Sequence, residues 1–322
     1  MLSRVAEAIY WMSRYIERAE NVARVVGVNN RLRLDLPEQA AEQWDPMVQV
    51  SGDEPAFRAR YDRPTRTSVI RFLAFDPLNP NSIVSCVTRA RENARSVREV
   101  ISSEMWEEVN RFYLFLSAPG ARDRALANAH AFFQEIRRSS HLIEGTRNET
   151  MEHGEGWHFG EIGRQIERAD QTTRILDLKY YLLLPSAAAV GAPIDDLQWG
   201  ALLRSASAME AYRRAHGRIA AAAVAGFLLL DREFPRSVHH CTTAAQSSLH
   251  AVTGTPFRRF VNPAERSLGR LVAELDYTDV TDVIRAGLHG FLDSLQDRLN
   301  DIGDEITRTF FFAPPVAPGG RG

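Results

Sequence analysis

Lysine is almost absent from this chain. Lys179 is the one lysine among 39 basic residues, so nearly all of the positive charge is carried by arginine. Arginine binds carboxylate and phosphate groups through a planar fork of donors and stays protonated in proteins. Lysine-dependent chemistry, such as Schiff-base formation, could therefore occur at only one position.

Cysteines and long apolar runs are also scarce. The two cysteines, Cys86 and Cys241, match no metal-binding spacing, and without a secretory signal pattern they indicate reduced thiols. The longest apolar run, from Ile219 to Leu230, has about twelve residues, whereas a membrane-spanning helix needs about twenty. The formal net charge of −2 gives no field that would attract nucleic acid or an acidic membrane. We therefore expect a cytoplasmic protein that binds neither nucleic acid nor membranes.

Strand signals and the common catalytic motifs are missing as well. The chain has no Gly-x-Ser-x-Gly nucleophile motif and no glycine-rich phosphate loop. Apolar residues instead recur at three- and four-residue steps almost throughout, which predicts an all-α fold. We expect a bundle of about nine to ten helices. The predicted helices span residues 4–31, from just after 82 to 101, 104–116, 121–151, 157–184, 196–213, 215–230, 236–252, 263–276 and 280–310.

The remaining segments are less regular. Residues 34–80 contain six prolines, and we expect loops with short helices there, folded as a flap over the bundle. Residues 186–193 read as a flexible connector, and residues 313–322, which are rich in proline and glycine, as a disordered tail. No polar linker divides the chain, so we expect residues 1–312 to form one all-α domain.

One charged motif occurs twice. Arg14-Tyr-Ile-Glu-Arg-Ala-Glu20 recurs as Arg164-Gln-Ile-Glu-Arg-Ala-Asp170, and each copy continues to a further arginine four residues later. The offset, from position 14 to position 164, is 150 residues. Such a repeat predicts internal pseudo-symmetry between two related halves, roughly 1–118 and 121–312.

A helical wheel separates these charges from the apolar stripe of the same helix. An α-helix turns about 100° per residue, so most of the charged strip lies away from the apolar side. Arg14 and Glu17, Glu17 and Arg24, and Glu20 and Arg24 are three, seven and four residues apart. These spacings would allow a ladder of ion pairs along the helix.

Three interpretations of the charged strip stay open. A salt-bridge ladder on a solvated face would contribute only about 0.3–0.5 kcal/mol per neighbouring pair. A shared, partly buried polar seam, between helices or against a partner, is favoured by the nearby aromatic residues Tyr10, Trp11 and Trp157. The third is a small-molecule site in which arginines hold phosphate or carboxylate. The candidate residues for the seam, or for ligand or partner binding, are Arg14, Glu17, Arg18, Glu20, Arg24, Glu92, Arg95, His158, Arg164, Glu167, Arg168, Asp170, Arg174 and Arg236.

A metal site is a weaker hypothesis. Glu155-Gly-Trp-His158 has the Glu-x-x-His spacing of di-iron sites in helical bundles. Such a site needs a second motif of this kind and further carboxylates, and the acids of both repeats are surrounded by arginines. We therefore expect no metal site.

Several further segments are distinctive, and together with the repeat they resemble the bacterial alpha-E domain family. This is an all-helical family of unassigned biochemical role, and the resemblance covers residues 1 to about 312. The matching segments are 2–21, Asn79-Pro-Asn-Ser-Ile83, Ala90-Arg-Glu-Asn-Ala-Arg95, Trp106-Glu107, Trp157-His-Phe159, 163–170 and 227–237.

The resemblance implies partners. Alpha-E proteins typically occur beside, or fused to, circularly permuted ATP-grasp proteins, often with transglutaminase-like or proteasome-like peptidases. It implies a helical accessory or binding subunit of an ATP-grasp amide (peptide) ligase in a peptide synthesis or modification system, with an acidic peptide as substrate. ATP and Mg are then expected only in the ATP-grasp partner. No catalytic residue of the family is established, so none is transferred to this chain.

Two rival hypotheses belong to other functional classes. One is a stand-alone enzyme or ligand-binding protein that uses an Arg/Glu pocket, with Glu17 or Glu167 as general acid or base and an acidic peptide or phosphate as ligand. The other is a ferritin-like metal-binding bundle. The sequence leaves the oligomeric state open.

Overall fold

The computed structural model describes residues 1–35, 44–183 and 193–312, whose regular secondary structure is helical, with no β-strand among them. The all-α prediction is confirmed. Two π-helical turns occur at Arg71–Phe75 and Thr307–Phe311. The helices are α1 (Ser3–Asp35), α2 (Asp45–Ser51), α3 (Glu54–Arg58), α4 (Arg66–Ile70), α5 (Ile83–Ser96), α6 (Ser103–Ser117), α7 (Ala121–Ala127), α8 (Ala129–Thr150), α9 (Glu155–Leu183), α10 (Pro193–Ser205), α11 (Met209–His216), α12 (Ala221–Leu230), α13 (Val238–Thr253), α14 (Pro263–Asp276), α15 (Val280–Ala286) and α16 (Leu288–Ile306).

The helix count differs from the prediction, because the described residues contain sixteen helices instead of nine to ten. Stretches predicted as continuous helix are divided at Asn128, at Ser207 and at Gly287. Asn128 accepts a hydrogen bond from the first turn of α8 and so begins a new helix. Ser207 and Gly287 have φ values of 54° and 111°, which a helix cannot contain. Apolar periodicity continues across all three breaks, and this is why it did not reveal them.

Two long helices form the centre of the fold. Helices α1 and α9 pack against each other, α5 and α8 pack on α1, and α13 and α16 pack on α9. Ile9, Met12 and Ile166 have no exposed surface in this contact. The two backbones approach closely at Gly163, where a Cβ atom would lie 2.4 Å from the carbonyl oxygen of Tyr10. A side chain at that position would push the two helices apart.

The proline-containing segment contains short helices, as expected for residues 34–80. Its residues 36–43 lie outside the described part of the chain, and α2, α3 and α4 follow. Helix α2 packs on α9 and α1. Met47 and Val48 are fully buried, so this segment is part of the core and also forms one wall of the cavity described below.

Helices α14 and α15 each begin with a side-chain cap. The Asn262 side chain accepts from the backbone N–H of Glu265, and that of Asp279 accepts from Thr281. Within the described ranges no helix is long and apolar enough to cross a bilayer. The connector expected at 186–193, apart from the first residue of α10, and the tail expected at 313–322 lie outside the described residues.

Candidate functional site

The two copies of the charged motif meet where α1 crosses α9, and they exchange their charges. Arg18 of α1 donates to both carboxylate oxygens of Glu167, from Nε at 2.7 Å and from Nη2 at 2.9 Å. Arg168 of α9 donates in the same way to Glu17, from Nε at 3.0 Å and from Nη2 at 2.7 Å. Each Glu-Arg dipeptide therefore pairs with the other. We call these four residues the Glu-Arg crossing.

The crossing is buried. The side chains of Glu17 and Glu167 are only 2% and 1% exposed, and that of Arg168 is 9% exposed. The solvated ladder is thus excluded for these residues, and the seam lies between two helices of this chain. Bidentate guanidinium-carboxylate pairs with little access to water are strong and geometrically specific.

The arginines keep the buried acids ionised. Burial by itself would raise the pKa of Glu167, but Arg18 and Arg14 more than offset this and lower the pKa to about 2. The pKa of Glu17 is also held below its ordinary value, because Arg168 and Arg236 outweigh the effect of burial. Both carboxyl groups are therefore held in the ionised form, which makes them poor general acids and weak general bases.

A second, outer layer of pairs flanks the crossing. Arg24 donates to Glu20 from Nε at 2.9 Å, and Arg174 donates to Asp170 from Nε at 2.8 Å. These two pairs occupy equivalent places in the two copies. Glu20–Arg24 is therefore confirmed as a pair within one helix. The ladder would also have paired Glu17 with Arg14 and Arg24, but Glu17 instead accepts from Arg168 and Arg236.

The first arginine of each copy breaks the symmetry. Arg14 donates to Glu167 from Nε at 3.0 Å and lies over the ring of Trp11, 5.0 Å from its centroid. Arg164 instead pairs with Glu161 at 2.5 Å. Glu161 is the counterpart of Trp11 at the offset of 150 residues. The exchange of an aromatic ring for a carboxylate therefore redirects Arg164 away from the crossing.

Glu161 belongs to a further buried network that the sequence reading missed. Arg147, on α8, is 1% exposed and donates to Glu144 at 2.7 Å and to Glu161. Its guanidinium lies 4.7 Å from the centre of the Trp157 ring. Arg164 also approaches Glu144, at 3.2 Å. This network anchors α8 against the start of α9.

Another repeated element packs beside the crossing, at an offset of 155 residues. Residues 72–86 read Phe-Leu-x-x-Asp-x-x-x-Pro-x-Ser-x-x-x-Cys, and residues 227–241 repeat these six positions. In both, the aspartate accepts from a backbone N–H two residues later at 2.9 Å, and the serine caps the next helix. The two turns lead into α5 and α13. Comparison of the sequence with itself at this offset would have revealed them.

The two turns carry different residues at the position whose side chain contacts the crossing. In the second turn the residue at this position is Arg236, which donates to Glu20 at 2.8 Å and to Glu17 at 3.0 Å. Its counterpart is Asn81, which accepts from Arg18 at 2.8 Å and donates to Asp53 at 3.0 Å. Arg236 reaches the carboxylates of α1, but the shorter side chain of Asn81 does not reach those of α9.

A cavity of about 180 Å³ lies on the Asn81 side. Its walls come from α1, α9 and the segment around α2, and the exposed Asn300 of α16 also lines it, so it reaches solvent. The polar groups in its wall that carry charge are Arg14, Arg18, Asp53, Asp170 and Arg174.

Three candidate residues lie apart from the crossing. Glu92 and Arg95 pair with each other at 2.6 Å on an exposed face of α5. There they could contact another molecule but not the crossing. His158 packs edge-on against Trp157, and its buried Nδ1 atom has no hydrogen-bond partner. Burial and the nearby His153 lower its pKa.

The Glu-x-x-His motif does not converge with other metal ligands. Glu155 pairs with the amino group of Met1 at 2.6 Å. Over the described part of the chain, the one group of three metal-capable side chains close together is Asp177, His289 and Asp293, on α9 and α16. His289 lies 2.7 Å from Asp177, in an arrangement that an ion pair alone explains.

The fold and the crossing define an all-helical protein in which two long helices are joined by reciprocal Glu-Arg pairs. A family model described as a predicted alpha-helical domain with a conserved ER motif matches residues 1–311. The chain belongs to this Alpha-E family. The Glu-Arg dipeptides at the crossing fit the motif named in that description.

The curated relatives are much longer proteins. Uncharacterised proteins of Mycobacterium bovis and of two strains of Mycobacterium tuberculosis are 28% identical to this chain over 336 aligned positions. The alignments cover 97% of this chain but only 37% of each relative. The chain therefore spans about a third of the length of the relatives it matches. No solved structure matches the chain.

Proposed function

We propose that this chain is a helical binding subunit that docks a circularly permuted ATP-grasp amide ligase of a peptide synthesis or modification system. The family resemblance supports this partner, and the greater length of the relatives fits a module that works with further protein. ATP and Mg would bind to the ligase. A transglutaminase-like peptidase is a second partner of the proposed system.

The chemistry of the crossing favours assembly over catalysis. General acids and bases work best when their pKa lies near the operating pH. Arginines hold the pKa of Glu17 and Glu167 below the ordinary value, and these pairs join α1 to α9. The alternative of a stand-alone enzyme with either glutamate as its acid or base is therefore disfavoured. The ferritin-like alternative is disfavoured by the arginines around every carboxylate of the crossing.

A surface groove supports the docking proposal. It has a volume of about 760 Å³ and lies beside α14 and the loop before it. Tyr277 is 92% exposed, Phe257 60% and Phe260 58%. Exposed aromatic and arginine side chains are typical anchors of protein interfaces. We call it the basic-aromatic groove, after the lining residues Phe257, Arg258, Arg259, Phe260, Arg266, Arg270 and Tyr277.

The groove is positively charged and its own acids are already occupied. Glu265 accepts from the backbone N–H of Val261 at 2.7 Å and from Thr253. Asp276 pairs with Arg232 at 2.6 Å and with His239 at 2.9 Å. No acid of the described residues forms an ion pair with the four groove arginines. The groove therefore complements an acidic segment of the ligase.

The proposal is tested by co-expression with the cognate ATP-grasp protein, followed by gel filtration and by titration of the purified subunits. We expect one complex at micromolar concentration. Charge reversal by Arg270→Glu should raise the dissociation constant by roughly tenfold or more and weaken its dependence on salt. The matched control is Arg122→Glu on α7, an exposed arginine outside the groove.

Two results would contradict the proposal. Two independent species at micromolar concentration would show that no stable complex forms. A complex that loses the same affinity in both charge-reversal variants would show that general repulsion, and not the groove, is being measured.

A further inference from the structure

The cavity beside Asn81 can be compared with a place that is already filled. In the second repeat, the guanidinium of Arg236 lies among the carboxylates of α1, with both oxygens of Glu20 at 2.8 Å. Glu20 also accepts from Arg24 and lies 2.9 Å from His141. Its counterpart Asp170 accepts fewer hydrogen bonds.

Among the described residues, Asp170 forms an ion pair with one cation. Arg174 donates to it from Nε at 2.8 Å and from Nη2 at 3.4 Å, and Gln171 lies 3.5 Å away. The cavity opens where a third donor group would stand. Because Asn81 replaces the arginine of the other turn, the described residues supply no such group.

A second carboxylate in the cavity wall also lacks a cation. Asp53 forms no ion pair with a described residue, and its hydrogen bonds come from the side chain of Asn81 at 3.0 and 3.2 Å. Burial raises its pKa, although Asn81 and the more distant Arg174 act in the opposite direction. An ionised carboxylate has about four acceptor positions, so both acids have unused acceptors.

The arginines of the cavity have few donors left for an anion. Arg18 uses Nε and Nη2 on Glu167 and Nη1 on Asn81. Arg174 uses Nε and Nη2 on Asp170, and its Nη1 donates to a backbone carbonyl at 3.3 Å. Arg14 donates to Glu167 and, at 3.0 Å, to the hydroxyl of Tyr10. Every guanidinium nitrogen of Arg18 and Arg174 is therefore already in a hydrogen bond.

We propose that this cavity binds a guanidinium group, from free arginine or from an arginine residue of a peptide, in the place that Arg236 fills in the second repeat. The planar fork of five donors suits the two acids. A cavity of roughly 150 Å³ holds a molecule of the size of benzene, so about 180 Å³ admits a guanidinium with part of its stem.

Isothermal titration of the full chain tests the proposal. The probes are L-arginine, Nα-acetyl-L-arginine amide, Nα-acetyl-L-lysine amide, succinate and inorganic phosphate. We expect saturable binding of an arginine probe and binding of the lysine probe that is weaker by roughly tenfold or more, because an ammonium group cannot form the fork. Preference for the free amino acid or for the amide identifies the source of the guanidinium.

Variants locate the site. Asp170→Asn should weaken binding of the arginine probe by roughly tenfold or more, the factor of one charge-assisted hydrogen bond. Asp297→Asn, an exposed aspartate elsewhere on α16, is the matched control and should not change it. Asn81→Arg should fill the cavity from within, as Arg236 does, and abolish binding while the circular dichroism spectrum stays helical.

Three outcomes would overturn the proposal. One is the absence of saturable binding by either arginine probe at millimolar concentration. Another is binding of phosphate or succinate in preference to arginine. The third is an Asn81→Arg protein that folds and still binds the arginine probe as the wild type does, a result that remains informative even if Asp170→Asn does not fold.

Discussion

Replacement of Glu167 by glutamine is the sharpest test of the crossing. Glutamine keeps the size of the side chain and one acceptor oxygen but removes the charge. Glu167 accepts from Arg18 at 2.7 and 2.9 Å and from Arg14 at 3.0 Å, so two buried guanidinium groups would lose their counter-ion. Their desolvation cost would remain while the attraction is lost.

The expected loss follows from two independent routes. The pKa of Glu167 lies at about 2 against an ordinary value of 4.5. At 1.36 kcal/mol per unit, the environment favours the charged carboxylate by roughly 3 kcal/mol. Removal of one partner from a buried ion pair typically costs about 3–5 kcal/mol. We therefore expect Glu167→Gln to lower the free energy of unfolding by about 3–5 kcal/mol.

The assay is urea unfolding followed by far-ultraviolet circular dichroism. Glu92→Gln is the control, because Glu92 also lies between two arginines, Arg91 at 2.9 Å and Arg95 at 2.6 Å, but is 45% exposed. An exposed pair contributes about 0–1 kcal/mol, so this variant should unfold almost as the wild type does. Equal, small losses in both variants would refute the claim that burial strengthens the crossing.

Two further predictions follow from the same helix pair. Because the pKa of Glu167 is lower in the folded than in the unfolded chain, the stability it contributes is complete above about pH 4.5 and is lost as the pH falls towards 2; urea midpoints should fall over that range, and less steeply in Glu167→Gln. Gly163→Ala should lower the free energy of unfolding by about 1–3 kcal/mol, because its Cβ would meet the Tyr10 carbonyl oxygen at 2.4 Å. A Cβ at Gly145 in α8 would meet no other atom, so Gly145→Ala should raise the free energy of unfolding by roughly 0.5–1 kcal/mol. If both alanine variants changed the free energy of unfolding in the same direction, the close approach at Gly163 would be contradicted.

Much of the fold could be predicted because it depends on local chemistry. Helix α14 begins and ends where the sequence indicated, since Asn262, Pro263 and the glutamate two residues later form a complete helix start. The divisions at Ser207 and Gly287 could not be predicted from apolar spacing. That spacing reports which side of a helix is buried, whereas a break depends on one backbone angle.

The site could be predicted only in part, for a related reason. The repeat identified Glu17, Arg18, Glu167 and Arg168, but a helical wheel describes one helix at a time. It placed Glu17 away from the apolar stripe without indicating that a second helix covers that side. Asp53, whose role depends on a turn far away in the sequence, carries no local signal at all.

The one-sided cavity has a consequence for how such a crossing can specialise. In a symmetric dimer of identical chains, every substitution at an isologous contact appears twice, so both sides are filled or both are open. Here both copies of the motif lie in one polypeptide, and Arg236 and Asn81 can differ. Arg236 closes one side with ionic contacts that stabilise the helix pair. Asn81, on the other side, makes no such ionic contacts and leaves a cavity open. Covalent linkage thus lets stability and recognition be divided between two equivalent places.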